Sequence, residues 1–594
     1  MSVPPVSPAV VADVLDALPP RLRKRVDASL GRVGEWAVTA SADAAHAALD
    51  SETALTWTLR AGVLTSADDL GCSCLLAPKC LHRGIAVAAA DVVDAVEDAP
   101  GAEPVVEVVP EAASEVASEV VSEDERAAVD ALWGSCAAVL RAGAAGSGAV
   151  VRAELLRAVH SARVAGLHRA AATGLRIAAA LAAARAGDSS FDREELTAEL
   201  VDLMLLCHEL RAGGGLTAEL RGAARREYRP IGALRLYGLC TEAVIAASGY
   251  AGVVTHLVDD GGVLWNVPAI MPGGPERVAA AASGPVAIGE SGFSQRELGR
   301  AGLVLSGGTA SADHRLGAGK AVRAVAASAA SWDDPPLAGL WARPVPDQVA
   351  RAFEALAGPD RPAGSDLLFL SGVVLGVVGG AVRLAADGVE VDLVGDGDRA
   401  WENLRVLAGA PGLRLRVVAR LLPERPGAAV ALAVAGAPDV PDELRHHVDL
   451  GLDRLQRSYV AGGGGGPAPR FDPAGRPPNP TGRVPRPVRP LATVLHRIAL
   501  GGRAVAAVAS AEREVAALTR NGLTATAALL ADLAGTSRDR GRDAFGRVVP
   551  DVGDEFPLAW LRAGLHVREV TRAASRRAWV EAVRGNPVEG AVAP

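Results

Sequence analysis

Residues 71–93 read GCSCLLAPKCLHRGIAVAAADVV, and three of the chain's six cysteines fall within nine of those positions. Cys72, Cys74, Cys80 and His82 make the pattern C-x-C-x5-C-x-H. In an extended segment residues two apart point to the same side, so Cys72 and Cys74 can offer both thiolates to one ion. Pro78 breaks LLAPK into a turn that brings Cys80 back, and His82 then opens the Ala/Val-rich run IAVAAADVV, which reads as a helix. Three thiolates and one imidazole satisfy tetrahedral Zn²⁺ and leave no open position for water, so the expected ion is one structural zinc. Lys79 and Arg83 flank the second ligand pair and are the expected offset to the site's negative charge. Redox chemistry of paired cysteines uses C-x-x-C, which this stretch lacks.

Outward from this stretch, TALTWTLRAGVLTSADD just upstream alternates like strands, and residues 8–31 have helical spacing with a basic cluster at Arg21, Arg23, Lys24 and Arg25. Downstream, residues 91–125 carry 12 acidic and no basic side chains. Glutamates there recur every fourth position and would repel one another along a helix, so a flexible acidic linker is expected over 96–125.

The motif C-x-C-x(n)-C-x-H, with strands before it and a helix after it, resembles the SWIM-type zinc finger over about residues 50–95, with Cys72, Cys74, Cys80 and His82 in all four ligand positions. The resemblance implies a small zinc-stabilised ββα module that binds DNA or a protein partner. Such modules occur beside chromatin-remodelling-type ATPases, so the implied partner is DNA or a DNA-translocating ATPase acting in trans. The chain shows no helicase or transposase motif of its own.

At 594 residues the chain is long enough for about three to five structural units. The expected architecture is α+β multidomain: an N-terminal region at 1–95 with the zinc module, the acidic linker, an α-helical domain at 126–230, a β-rich domain at 231–440, and a helical Arg-rich region at 441–594. Helices are expected at 126–142, 151–186, 192–211 and 216–228, with Leu196, Leu200, Leu203, Leu206 and Leu210 on one stripe. In the β-rich part, Asp260-Gly261 and Asp387-Gly388 each sit between two apolar runs and predict two-residue hairpin turns, with small barrels or sheets around them. A helix is expected at 346–356 and another at 441–459. Five Gly and many Pro make 461–490 a linker.

From Arg470 onward 19 Arg face 12 Asp and Glu. Arginine dominates the basic residues throughout, with only three Lys in the chain, so much of this excess is compositional. The best candidates for phosphate or partner contacts are Arg476, Arg483, Arg486 and Arg489, beside Lys79 and Arg83 of the zinc module. HRLGAGKA at 314–321 lacks the first Gly and the hydroxyl of a phosphate loop. No catalytic motif stands out, so the expected function is recognition without catalysis. The alternatives are an enzyme with Trp265, His256, Asp313 and His314 in the β-rich part, or an assembly adaptor.

The N-terminus has no basic signal-peptide segment, and the longest apolar run, LLFLSGVVLGVVGGAV at 367–382, is shorter than the ~20 residues a spanning helix needs. A cytoplasmic protein with no membrane segment is expected, with that run forming buried strands.

Overall fold

The computed structural model describes residues 3–92, 121–461 and 484–584, except 42, 51, 61, 189–190, 213–217, 223–227, 247–249, 290, 318–321, 358–360, 424, 426, 445, 508–510, 539–544 and 546–552. The acidic linker therefore lies outside the described residues up to 120, as do Lys320, most of the Gly/Pro-rich linker, Arg476 and Arg483. The chain is α+β and divides into two compact units, one of residues 1–224 with 486–568, the other of 225–485 with 569–594.

The first unit opens with α1 (Pro8–Ala17) and α2 (Pro20–Ser29), separated where Pro19-Pro20 interrupts the helical spacing. An antiparallel sheet follows, in chain order, of β1 (Ala37–Ala40), β2 (Ala44–Ala48), β3 (Ala54–Thr58) and β4 (Leu70–Cys72). Its strands alternate, burying Val38, Ala45, Ala47, Leu55 and Trp57 on one face. α3 (Leu81–Ala89) shares this core and packs on α1 and α2, and Gly84 makes that close approach possible: a Cβ there would meet Leu18 Cδ1 at 2.6 Å.

Four long helices come next: α4 (Glu123–Gly146), α5 (Ala149–Val164), α6 (His168–Ala186) and α7 (Arg193–Arg211). Ser122 and Glu125 form a reciprocal cap that fixes the start of α4. The single helix expected over 151–186 is two, because the chain turns at Ala165–Leu167, with Gly166 at φ 79°. The Leu196 to Leu210 stripe is buried, as is Cys207. One continuous core runs from Val3 through the sheet and these helices, so the metal-binding region and the helical region are not packed separately.

The two large sheets of the second unit have the same wiring. In the first, β5 (Leu234–Ala246), β6 (Tyr250–Asp259) and β7 (Leu264–Pro272) form a meander; α8 (Glu276–Ser283) and α9 (Gln295–Leu298) follow; then β8 (Gly302–Ser306) pairs with β5 and β9 (Arg323–Ala327) pairs with β8. α10 (Val345–Ala357), where a helix is expected, leads to the second sheet. There β10 (Leu367–Val378), β11 (Ala381–Ala386) and β12 (Val389–Val394) form the meander, α11 (Gly397–Ala408) follows, β13 (Arg414–Leu421) pairs with β10, and β14 (Ala428–Ala435) pairs with β13. In both, the fourth strand lies beside the first, which is a Greek key.

A parallel pairing of β12 with β14 closes the second sheet into a five-stranded barrel. In the first sheet the third strand makes a parallel bridge, Asn266 to Arg315, to the segment between β8 and β9. The two Asp-Gly signals occupy equivalent places, each between the second and third strands. Asp387 and Gly388, at φ 49° and 75°, form the two-residue turn expected, whereas the other turn spans 260–263 and is held by Asp259 Oδ1, which accepts from the Gly261 and Val263 N–H groups at 2.9 Å. The 367–382 run lies in β10 and β11, and among the described residues no helix is long and apolar enough to cross a membrane.

The helix expected at 441–459 does not form. Short helical turns at Asp442–Leu444 and Arg457–Val460 flank a strand fragment at Val448–Asp449. The reason is polar: His447, Asp449 and Asp453 are buried and bound to Arg296, Arg300 and the Thr241 backbone, so this segment follows its ion pairs rather than its leucine spacing. His447, within the span expected as a helix, is buried and stacks on Trp332 with the rings 5.2 Å apart.

The chain then returns to the first unit through α12 (Arg489–Gly501), α13 (Ala511–Arg520) and α14 (Thr524–Arg538); the last described helix, α15 (Glu555–Arg584), belongs to the first unit up to Arg568 and to the second from Glu569. Leu491, Leu495 and Ile498 of α12 enter the same core as α4 and α7.

Candidate metal centre

Three local features bring the ligands of the 71–93 stretch together. Cys72 is the last residue of β4, paired with Leu55, and Ser73 continues that edge by donating its N–H to Ala54 O at 3.0 Å. The Ser73 hydroxyl also accepts from the Ala54 N–H at 2.9 Å and donates to Glu52 O at 3.1 Å, fixing the chain as it leaves the sheet. A turn follows, closed by the Ala77 N–H to Cys74 O at 3.0 Å. Cys80 then caps α3 in extended conformation, so its sulfur lies at the positive end of a helix and His82 falls in the first turn.

The result is a cluster in which the three sulfurs and a His82 ring nitrogen all lie within 4.8 Å of one another, Cys72 Sγ being 3.9 Å from His82 Nδ1. Ligands at ~2.3 Å from a tetrahedral Zn²⁺ are separated by about 3.7 Å, so a small contraction completes the shell. Cys3His is a donor set that fits a closed metal site, and the metal's identity is an inference from that chemistry.

The electrostatics of the metal-free cluster suit a site that must lose protons to bind. Burial, helped by the neighbouring thiols, pushes the Cys72 thiol up to about 12 and raises Cys80 as well. Cys74 goes the other way: burial raises it, but the Leu76 backbone N–H and the neighbouring sulfurs outweigh burial and bring it below its ordinary value. His82 is lowered, first by burial and then by Arg32, which favours the neutral form that ligates. Proton release is the ordinary companion of metal capture at such sites.

The two basic residues flanking the ligands part company. Lys79 is exposed. Arg83 turns inward at 7% exposure, donating to Pro78 O at 2.6 Å and to Ala67 O, and so ties the turn to the segment before β4. What the turn shows to solvent is apolar: Leu75 and Leu76 are 104% and 64% exposed. Sequence reading passed over them because a Leu-Leu pair between cysteines reads as core.

Of the other candidate residues, Arg486 and Arg489 stand exposed at the start of α12. Trp265 stacks on His314 at 4.9 Å across the chain, and Asp313, the neighbour of His314 in sequence, accepts from the Ser311 hydroxyl. His256 is instead buried against Glu242, at 3.0 Å. Glu242 also receives two bonds from Arg420, at 2.9 and 3.0 Å, and Arg420 reaches Asp366 at 2.8 Å. A small cavity of about 130 Å³ touches Glu242, Arg420 and Asp396. Both oxygens of Glu242 are occupied, which is the arrangement of a structural ion pair. Comparison with protein-family models, curated proteins and solved structures finds no match for this chain.

Proposed function

We propose that the chain is a SWIM-type zinc protein that acts by recognition, with the metal holding a turn that presents Leu75 and Leu76 to a protein partner. The observation that carries this reading is the exposure of both leucines on the turn between Cys74 and Cys80. Apolar side chains held out by a rigid loop are the usual anchors of a protein interface. Zn²⁺ would be held by Cys72, Cys74, Cys80 and His82, and its contribution is to fix the turn. A DNA-translocating ATPase of the chromatin-remodelling type, acting in trans, is the partner that the motif suggests. Contact with DNA at this module is a second reading, favoured by the exposed Lys79 and Arg32.

The test combines metal analysis with a binding titration against a purified ATPase of that type from the same organism. Wild type should carry one zinc per chain, and Cys74→Ser/His82→Ala should lose both zinc and partner binding. Leu75→Ser/Leu76→Ser should keep the zinc and lose the partner. Partner binding that survives the leucine changes rejects this contact, and a zinc-free wild type rejects the metal. Displacement of the ATPase by duplex DNA would favour the second reading.

A further inference from the structure

Helix α12 begins with the wrong charges for an isolated helix. Its first turn holds no acidic residue, no side chain caps it, and Arg486 and Arg489 stand at its positive end. Cations there oppose the helix dipole. An anion held between them would offset that repulsion.

Positions 489, 493 and 497 recur every four residues and share one face. Arg486, Arg489, Thr493 and Arg497 are all exposed, and together with Glu514 of α13 they line a groove of about 300 Å³. Glu514 is the one carboxylate on that lining. Arg486 and Arg497 enter no ion pair among the described residues.

We propose that this groove is a nucleic-acid contact that seats consecutive phosphates of one DNA strand. The length of the charged row argues against a single bound phosphate: from 489 to 497 a helix rises about 12 Å, so the guanidiniums are spread along a line. Phosphates of one strand advance ~3.4 Å along the duplex axis while winding around it, so a straight row of this length reaches two or three of them. A lipid surface would need apolar side chains exposed between the arginines. Here the apolar members of the lining are Val494, which is buried, and Pro490, which is half-buried, so no large apolar side chain stands out between the arginines. Arginine forks on phosphate carry no base information, so binding is indifferent to sequence. The proposal is independent of the metal centre.

The experiment is a fluorescence-anisotropy titration of the full chain with a short mixed-sequence duplex between about 50 and 200 mM salt. Wild type should bind with a steep salt dependence. Arg489→Ala/Arg497→Ala should weaken binding at least tenfold and lower the slope of log K against log salt by about 2, at ~0.9 per phosphate contact. Arg489→Lys/Arg497→Lys should keep the slope. Thermal melts should match wild type, because both side chains are exposed. An unchanged slope in the alanine pair, or no duplex binding by wild type, overturns the proposal. So does stronger binding to phosphatidylserine vesicles than to DNA. Cys74→Ser, measured in parallel, should keep its salt slope; loss there with retention in the arginine pair would move the contact to the metal module and overturn the groove.

Discussion

Arg83 shows how a side chain beside a ligand can act without facing solvent. Its guanidinium satisfies two backbone carbonyls that frame the metal-binding turn. A hydrogen bond from a charged donor contributes about 1.5 to 3 kcal/mol, and loss of a contact that supports a metal-binding turn lowers metal affinity by roughly 10 to 100-fold. Arg83→Ala should show both effects, in a urea melt and in competition with a colorimetric chelator. Gly84→Ala, which puts a methyl 2.6 Å from Leu18 Cδ1, should destabilise by about 1 to 3 kcal/mol through overpacking, read from the urea midpoint with zinc present. The four ligands were legible because metal chemistry ties residue type to spacing. Nothing in the sequence says which carbonyls a long side chain will reach, so the inward turn of Arg83 was not legible, and neither was the outward turn of Leu75 and Leu76.

Among elements, the buried pairs of the second unit govern pH response. Burial alone would raise Glu242; Arg420 and His256 outweigh it and hold the carboxyl at about 2, below its ordinary value of 4.5. Folding thus favours the ionised form. The stability this contributes is complete above pH 4.5 and declines as the pH falls towards 2, by a total on the order of 3 kcal/mol. Melts of wild type across that window should show the decline. Glu242→Gln should flatten it and lose on the order of 3 kcal/mol at neutral pH, the part the ionised carboxylate contributes, while Arg420 keeps its pair with Asp366. Strand and helix types followed from periodicity, and the Asp387-Gly388 turn from its need for positive φ. The helix expected at 441–459 failed because Arg296 and Arg300, some 150 positions away, capture Asp449 and Asp453. The duplicated wiring also escaped the sequence, since Val, Leu and Ala substitute freely on buried strand faces and leave only the Asp-Gly turns in common.

At the scale of the whole chain, the metal centre shares its core with the helices from α4 to α7 and with α12. Chelation should therefore loosen more than the turn: hydrogen exchange after metal removal should rise in β4 and α3 first, and then in α5, whose Arg152 donates to Ala88 O at 2.9 Å. Exchange confined to residues 70–90 would show the core to be insulated from the ion. The same shared core sets a schedule for synthesis. The first unit needs residues 486–568, yet the ribosome must first make Arg225–Pro485, roughly 260 residues that belong to the other unit. At about 5 to 20 residues per second that interval is roughly 13 to 50 seconds. Throughout it, the apolar stripes of α4 and α7 that α12 will cover have no partner yet made, so the nascent protein depends on whatever shields those stripes until residues 486–568 emerge.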